Sequence, residues 1–348
     1  MEFALSSDQQ MLQETVRRFV EEQAPLDTIR RIAEGDDSAA RALQAGIDEL
    51  GLAGILVPES EGGAGLGLLD AVLVQECFGY GVAPSGFMGN VVAAWVLRDL
   101  APELASAIAR GEARYGLAIG GFMSRRDGAA ITASGGKLSG TALMIPEASG
   151  LTYLLTCADD GGVHVCKAPD TTAMKTIDRS RRFAEAALDS GISLASDPDS
   201  SEAMAVAGLM VAADTLGAAQ AMLDKAVAYA KEREQFGRVI GSFQAVKHLC
   251  AEMAAKLEPS RALVWHAAHA LDMGEDEGLA MALLAKAHLS DVGTFVAKTA
   301  TEVHGGMGFT DLLGLHYWFK RIGVNRQLFM SPQQARELAA RVQGLVNA

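Results

Sequence analysis

The sequence predicts an α+β chain in three parts: a helical N-terminal domain over residues 1–113, a small middle β-barrel or sandwich over 114–196, and a C-terminal four-helix bundle over 197–348. Three observations carry this reading. The first third places apolar residues at helical spacing, the middle breaks into short β-rich runs divided by Gly and Asp, and the last part returns to long Ala-, Leu- and Met-rich stretches.

Ser6-Ser7-Asp8 offers a cap for a helix whose apolar positions are Met11, Leu12, Val16, Phe19 and Val20, and Pro25 ends it. Glu49 to Gly54 and Val57-Pro58-Glu59 lead into the glycine-rich stretch Gly62-Gly63-Ala64-Gly65-Leu66-Gly67. That stretch does not read as a phosphate loop, because it lacks the lysine such loops use and follows no convincing strand. A helix from Leu69 to Phe78 comes next. From about Tyr115 the runs Ala130-Ile131-Thr132, Lys137-Leu138-Ser139-Gly140, Leu151 to Thr156 and Val163 to Cys166 read as strands. Asp160-Gly161-Gly162 reads as a hairpin turn, and the β domain ends near Ala187-Leu188-Asp189. After Asp197-Pro198-Asp199, helices are predicted over 203–232, 242–272, 277–303 and 332–346, punctuated at Gly274 and Pro332.

Composition narrows the function classes. Hydrophobic residues make up 49% and charged residues 21% of 348, a globular composition with room for a sizeable core. A net charge of −13 argues against nucleic acid, whose phosphates need a basic face. No apolar run is expected to span a membrane, and Glu2 and Asp8 stand where a secretory signal would be basic and then apolar. Cys77, Cys157, Cys166 and Cys250 are scattered without a C-x-x-C pair, as expected of reduced thiols in a cytoplasmic protein.

The chemistry concentrates in Arg233-Glu234-Gln235-Phe236-Gly237, in Phe243-Gln244, and in the distant His304-Gly305-Gly306-Met307-Gly308-Phe309. An arginine and an amide paired with a double glycine suit an anionic ligand. Guanidinium binds phosphate through a planar fork, and glycines let backbone N–H groups approach a pyrophosphate. In this order, separated by two helical stretches, these motifs resemble the C-terminal domain of the flavin-dependent acyl-CoA dehydrogenases. Val57-Pro58-Glu59 with the glycine-rich stretch resembles the same family's "VPEExGGxGLG" loop, and the order helix, β domain, bundle matches it over the whole length.

The resemblance implies FAD as cofactor and an acyl-CoA substrate. In that family a glutamate removes the α-proton, while the β-hydride passes to the flavin and leaves a 2-enoyl-CoA. It places Arg233 and Gln235 at the diphosphate, Phe236 and Phe243 near the adenosine half, and Gln244 as an amide donor, with Gly305 and Gly306 allowing close backbone contact. In the family these groups reach across a subunit interface to the neighbour's flavin. Glu302 departs from the usual Gln, and a carboxylate facing a pyrophosphate is unfavourable unless it turns toward the ribose or away.

The family's base has no counterpart. Its commonest position falls at Phe329-Met330-Ser331, with Phe329 where the glutamate belongs, and the second falls near Ala207-Gly208. Glu202, Asp214 and Asp311 are the acids nearby, so the catalytic residue stays unassigned. The flavin-ring segments are altered too, reading Leu117-Ala118-Ile119-Gly120-Gly121 and Leu143-Met144-Ile145-Pro146-Glu147; Pro146 lacks an N–H and Met144 cannot stack like an indole. Losses confined to the substrate and ring side resemble one half of the family's bacterial heteromers, notably those acting on steroid-derived CoA thioesters. There, one subunit supplies base and ring pocket and a second completes the adenosine site. The expectation is therefore a subunit that needs a second acyl-CoA dehydrogenase-like partner. The rivals are a self-sufficient homo-oligomer with a relocated base, and a flavin-free acyl-CoA-binding scaffold. His266 and His269 read as ordinary surface or core histidines with no metal, and Arg179, Arg181 and Arg182 as a solvated loop rather than a CoA-phosphate site.

Overall fold

Residues 4–119 and 130–346 are described by the computed structural model. The N-terminal part is helical: α1 (Ser7–Gln23), α2 (Leu26–Ala33), α3 (Asp37–Glu49), α4 (Leu68–Tyr80), α5 (Phe87–Leu100) and α6 (Pro102–Ala109). Ser6 caps α1 in a reciprocal box with Gln9. Pro25 ends α1 by opening α2, since proline fits the residues before a helix but not its interior. The glycine-rich stretch spends its N–H groups on its own chain, with Gly63 bonding Pro58 O, Gly65 bonding Val57 O and Leu66 bonding Ile55 O. It forms a tight turn with no free donors for a phosphate.

The middle domain is two four-stranded sheets, ordered β1-β4-β5-β8 and β2-β3-β7-β6. The strands are β1 (Tyr115–Ala118), β2 (Thr132–Ser134), β3 (Lys137–Pro146), β4 (Tyr153–Cys157), β5 (Val163–Lys167), β6 (Thr171–Met174), β7 (Phe183–Ile192) and β8 (Ala195–Asp197). The β4–β5 hairpin turns at the expected Asp160-Gly161-Gly162, with Gly161 at φ +85°. The domain does not end near Asp189: β7 runs on to Ile192, and β8 adds an edge strand to β5. Ala195-Ser196-Asp197 has no apolar alternation to betray a strand; backbone pairing with Val163–Val165 makes it one.

The C-terminal part holds α7 (Ser201–Glu232), a two-residue-strand hairpin β9 (Glu234–Gln235) and β10 (Arg238–Val239), then α8 (Gln244–Asp272), α9 (Gly278–His304), α10 (Leu315–Asn325) and α11 (Pro332–Val342). The four predicted helices are all present. α10 is a fifth, and its segment Leu-His-Tyr-Trp-Phe carries the aromatic residues that lower helix propensity. α7 is buried nearly all round. Against the sequence expectation, the spans 201–232 and 278–309 are long and apolar enough to cross a membrane, yet 94% and 61% of their most apolar windows lie buried inside this fold.

Two glycines set how the first domain seats on the bundle. A Cβ on Gly79 of α4 would stand 2.1 Å from Asp214 O, and one on Gly217 of α7 would stand 1.9 Å from Glu76 O. The two backbones touch, so neither position admits a side chain.

Candidate functional site

The up-down-up run of α7, α8 and α9 brings the end of α7, the start of α8 and the end of α9 to one end of the bundle. Arg233 closes α7, its N–H bonding Tyr229 O at 2.8 Å, and the Tyr229 ring stacks on His304 at 4.6 Å. Arg233, Gln235, Phe236, Phe243, Gln244, Glu302, Gly305 and Gly306 therefore share that end.

The local conformations are demanding. The β9–β10 turn sets both Phe236 (φ +54°) and Gly237 (φ +76°) left-handed, as two-residue hairpins require. Phenylalanine in that conformation is uncommon and places its ring 94% exposed. Phe236 meets Phe243 edge-on at 6.2 Å, and the Arg238 guanidinium lies 4.0 Å over Phe243. Phe243 opens α8, which has neither a side-chain cap nor an acidic residue in its first turn, so its N–H groups and helix dipole face outward. Gly305 sits at φ 57°, ψ −139°, reached essentially only by glycine, and nothing lies within 4 Å of a Cβ on Gly305 or Gly306. Arg233, Gln244 and Glu302 are exposed, and no hydrogen bond or ion pair joins them among the described residues. Gln235 donates only to Glu234 O, at 2.7 Å. Among the described residues the Arg233 guanidinium and the Gln244 amide have no acceptor, and they stand beside the aromatic pair Phe236 and Phe243. Phe309 and Leu312, 81% and 71% exposed, extend the apolar surface in the turn after α9.

The segments where the resemblance expects a base are packed. Phe329 is buried at φ +64°, Ala207 is buried, and Met330 Cε reaches within 3.5 Å of where a Gly208 Cβ would stand. The two segments where the resemblance expects a base thus meet beside Gly208, where Met330 and the stem of Lys286 pack; Lys286 Cβ lies 3.3 Å from the same spot. None of the nearby acids is free. Glu202 accepts from Trp95 Nε1 at 2.7 Å and Arg98 Nη2 at 2.8 Å. Asp311 is exposed and pairs with His316. Asp214 is fully buried and accepts from Arg321, Gln75 and Asn325. Burial works to raise its carboxyl, but Arg321 overrides that and holds it at about 2.

Sequence reasoning missed this buried network. Arg321 and Asn325, one turn apart on α10, both reach Asp214, and Arg321 also donates to Val82 O and Ala83 O. Val82 stands at φ +46°, unusual for a β-branched residue, and Arg321 pins it. Lys286 Nζ donates to Asn325 O, to Arg326 O at 3.3 Å and to Ser290 Oγ. Burial, then Arg326 and Arg181, push the Lys286 amine down to about 7. Arg181 also corrects the reading of its segment as a solvated loop. It is buried, bonding Asp178 at 2.8 Å and Asn325 at 2.7 Å, while Arg182, half-buried, pairs with Asp37 and Arg179 is exposed. The signal in the sequence was faint: one lysine inside the apolar run Leu283 to Leu289.

The residues fit one half of a dinucleotide flavin. Open donors and bare glycines suit a diphosphate. On the ring side, Met144 sits at φ +57° in a β3 bulge, its N–H taken by Met174 Sδ, and Pro146 donates nothing. The space lined by Pro146, Tyr115, Leu117, Arg181, Asp214 and Arg321 is about 20 Å³, enough for about one water. Gly120 and Gly121 lie outside the described residues. Elsewhere, His266 pairs with Glu277 at 2.9 Å, and His269 is exposed.

Comparison with known proteins agrees with this architecture. The acyl-CoA dehydrogenase N-terminal domain family matches residues 6–103, and the acyl-CoA dehydrogenase C-terminal domain family matches residues 173–329. Acyl-CoA dehydrogenase IpdE2 of Mycolicibacterium smegmatis is 30% identical, over 97% of this chain and 100% of its own length. Acyl-CoA dehydrogenase FadE34 of Mycobacterium tuberculosis is 33% identical over 89% of this chain, which spans 43% of FadE34. Among solved structures, a Tcur3481–Tcur3483 steroid ACAD variant superposes with a TM-score of 0.86 at 28% identity, covering 97% of this chain and 98% of that one. Butyryl-CoA dehydrogenase from Megasphaera elsdenii shares the fold with a TM-score of 0.84 at 19% identity, covering 99% and 100%. With both family domains matched and a relative aligned along its full length, the chain belongs to the acyl-CoA dehydrogenase family.

Proposed function

We propose that this chain is the base-lacking subunit of a hetero-oligomeric acyl-CoA dehydrogenase, and that its exposed bundle end completes the FAD adenosine–diphosphate site of a second, unlike subunit. One observation carries the reading: diphosphate-type donors stand open at the bundle end, while both base positions and the ring side of the same chain are filled by Met330, Lys286 and the Asp214–Arg321 pair. Bound FAD would supply hydride acceptance in the α,β-dehydrogenation of an acyl-CoA. This chain's share is anchoring. Arg233 supplies charge to the diphosphate, Gln235 and Gln244 supply amides, and Gly305-Gly306 admits the backbone. Phe236 and Phe243 offer aromatic surface to the adenosine half. Glu302 suits ribose hydroxyls, which donate to a carboxylate, rather than phosphate.

The relatives support this. The steroid ACAD neighbour, Tcur3481–Tcur3483, is named as a pair, and it makes a steroid-type acyl-CoA the favoured substrate class. More than half of FadE34 lies outside the match, room for a second unit of similar size. Four free thiols suit a cytoplasmic complex. A self-sufficient homo-oligomer would need a base, and Glu202, Asp214, Asp311 and Lys286 are all otherwise engaged. A flavin-free scaffold would have no use for the open donors.

The test is purification of the chain alone and co-expressed with a second acyl-CoA dehydrogenase-like subunit. Flavin absorbance and ferrocenium-coupled oxidation of acyl-CoA are then compared. Alone, the chain is expected to be colourless and inactive; the pair is expected to be yellow and active. A yellow, active homo-oligomer overturns the proposal.

A further inference from the structure

Far from the dinucleotide end, the middle domain holds a serine, a histidine and a carboxylate in series. Ser193 lies in the turn between β7 and β8, His164 on β5, and Asp160 in the β4–β5 hairpin. Ser193 Oγ is 3.1 Å from His164 Nδ1, and His164 Nε2 is 3.0 Å from Asp160 Oδ2. A carboxylate only accepts, so in the neutral ring Nε2 carries the proton, and Nδ1 is left to accept the Ser193 hydroxyl. The Gly162 N–H, 3.0 Å from Asp160 Oδ1, and then the His164 ring hold the Asp160 carboxyl below its usual range and so ionised.

The scaffold is rigid. Ser193 N–H bonds Gly136 O at 3.0 Å, and His164 pairs with Ser196 across the β5–β8 ladder. The His164 side chain is 9% exposed, whereas Ser193 is half-buried on the wall of a recess of about 160 Å³. Across that recess runs the turn Ser134-Gly135-Gly136. Both glycines are left-handed, at φ +57° and +74°, and among the described residues their N–H groups have no backbone acceptor. The Ser193 hydroxyl has one competing acceptor, Ala195 O at 3.2 Å, the longer of its two contacts.

We propose that Ser193 is a nucleophile, with His164 as its general base and Asp160 as the carboxylate that positions the ring, acting on small activated acyl esters or thioesters. Ser193 Oγ bonds to the acyl carbon while its proton passes to His164 Nδ1. The bond from the acyl carbon to the leaving oxygen or sulfur breaks, and the leaving group takes that proton from His164. Water then repeats the sequence on the acyl-serine, releasing a carboxylic acid and restoring the hydroxyl. The Gly135 and Gly136 N–H groups are the donors available to the developing oxyanion. A recess of about 160 Å³ admits a short acyl group. This activity is independent of the partner-subunit reading.

The test uses the full chain as purified. A small alkyl fluorophosphonate is added, the adduct is counted by intact mass and located by peptide mapping, and p-nitrophenyl acetate turnover is followed in parallel. One adduct per chain on Ser193 is expected. It should be absent in Ser193→Ala, retained in Ser196→Ala, and slowed by about a hundredfold in His164→Gln, the scale of general-base catalysis. Ester turnover should fall in the same variants at unchanged thermal unfolding temperature. Failure of the wild-type chain to take up the label at Ser193 overturns the proposal and leaves the trio as a staple between the two turns. So does ester turnover that survives in Ser193→Ala.

Discussion

Replacing Lys286 by Met tests whether the buried network, rather than a substrate, occupies the centre of this chain. Lys286 is buried beside Gly208, and its amine is depressed from 10.5 to about 7, first by burial and then by Arg326 and Arg181. At about 1.36 kcal/mol per unit, that depression corresponds to roughly 5 kcal/mol held against the folded state. The sign follows from proton counting. Below pH 7 the amine is charged in both states and the full penalty is present. Between 7 and 10.5 the unfolded chain binds a proton that the folded chain does not, so stability rises with pH; above 10.5 the penalty is gone. Met removes this dependence. It also leaves Asn325 O and Arg326 O without their donor, a pH-independent loss of about 1–3 kcal/mol each. The assay is proton uptake on unfolding, measured by calorimetry in buffers of different ionisation enthalpy, which needs no two-state assumption. At about pH 8.5 the wild-type chain is expected to take up about one proton more than Lys286→Met. Equal uptake would mean the amine stays charged in the fold, held by the Asn325 and Arg326 carbonyls, and would refute the depression argued from its burial.

Other consequences are sharper in outcome. Arg233→Ala in the proposed hetero-oligomer should weaken flavin retention by about ten- to a hundredfold, the worth of a charge-assisted phosphate contact, while leaving the chain's own melting unchanged; full flavin content after dilution would make Arg233 merely structural. Phe329→Glu should not create an active enzyme, because the new carboxyl enters an apolar, buried position and stays protonated, and the ring side remains filled. Turnover of a short or long acyl-CoA by that isolated variant would show the ring pocket to be intact. Gly217→Ala should destabilise by roughly 1–3 kcal/mol or more, since its methyl would overlap Glu76 O; a chemical melt unchanged from wild type would mean α4 and α7 are not in backbone contact.

What the residue pattern alone determined was whatever depends on local periodicity and short-range chemistry. Helical spacing in α1, the Ala-, Leu- and Met-rich composition of α7 to α9, the Asp160-Gly161-Gly162 turn, and the R-x-Q-F-G and G-G-x-G motifs all act through neighbours within a few positions, so they are legible along the chain. The membership in the family follows from those motifs in that order. The tertiary structure decided the rest, for two physical reasons. Backbone pairing makes β8 a strand and contact with α7 makes α10 a helix, and neither contact is written in the local residues. Burial of charge is likewise a property of the packed molecule. Arg181 reads as a loop cation and Lys286 as a stray lysine until Asp178, Asn325 and the carbonyls of Asn325 and Arg326 surround them. The same packing fills the space beside Gly208. Only in three dimensions do Gly208, Met330 and Lys286 meet, because α7, α9 and the segment after α10 converge there from positions far apart in the chain.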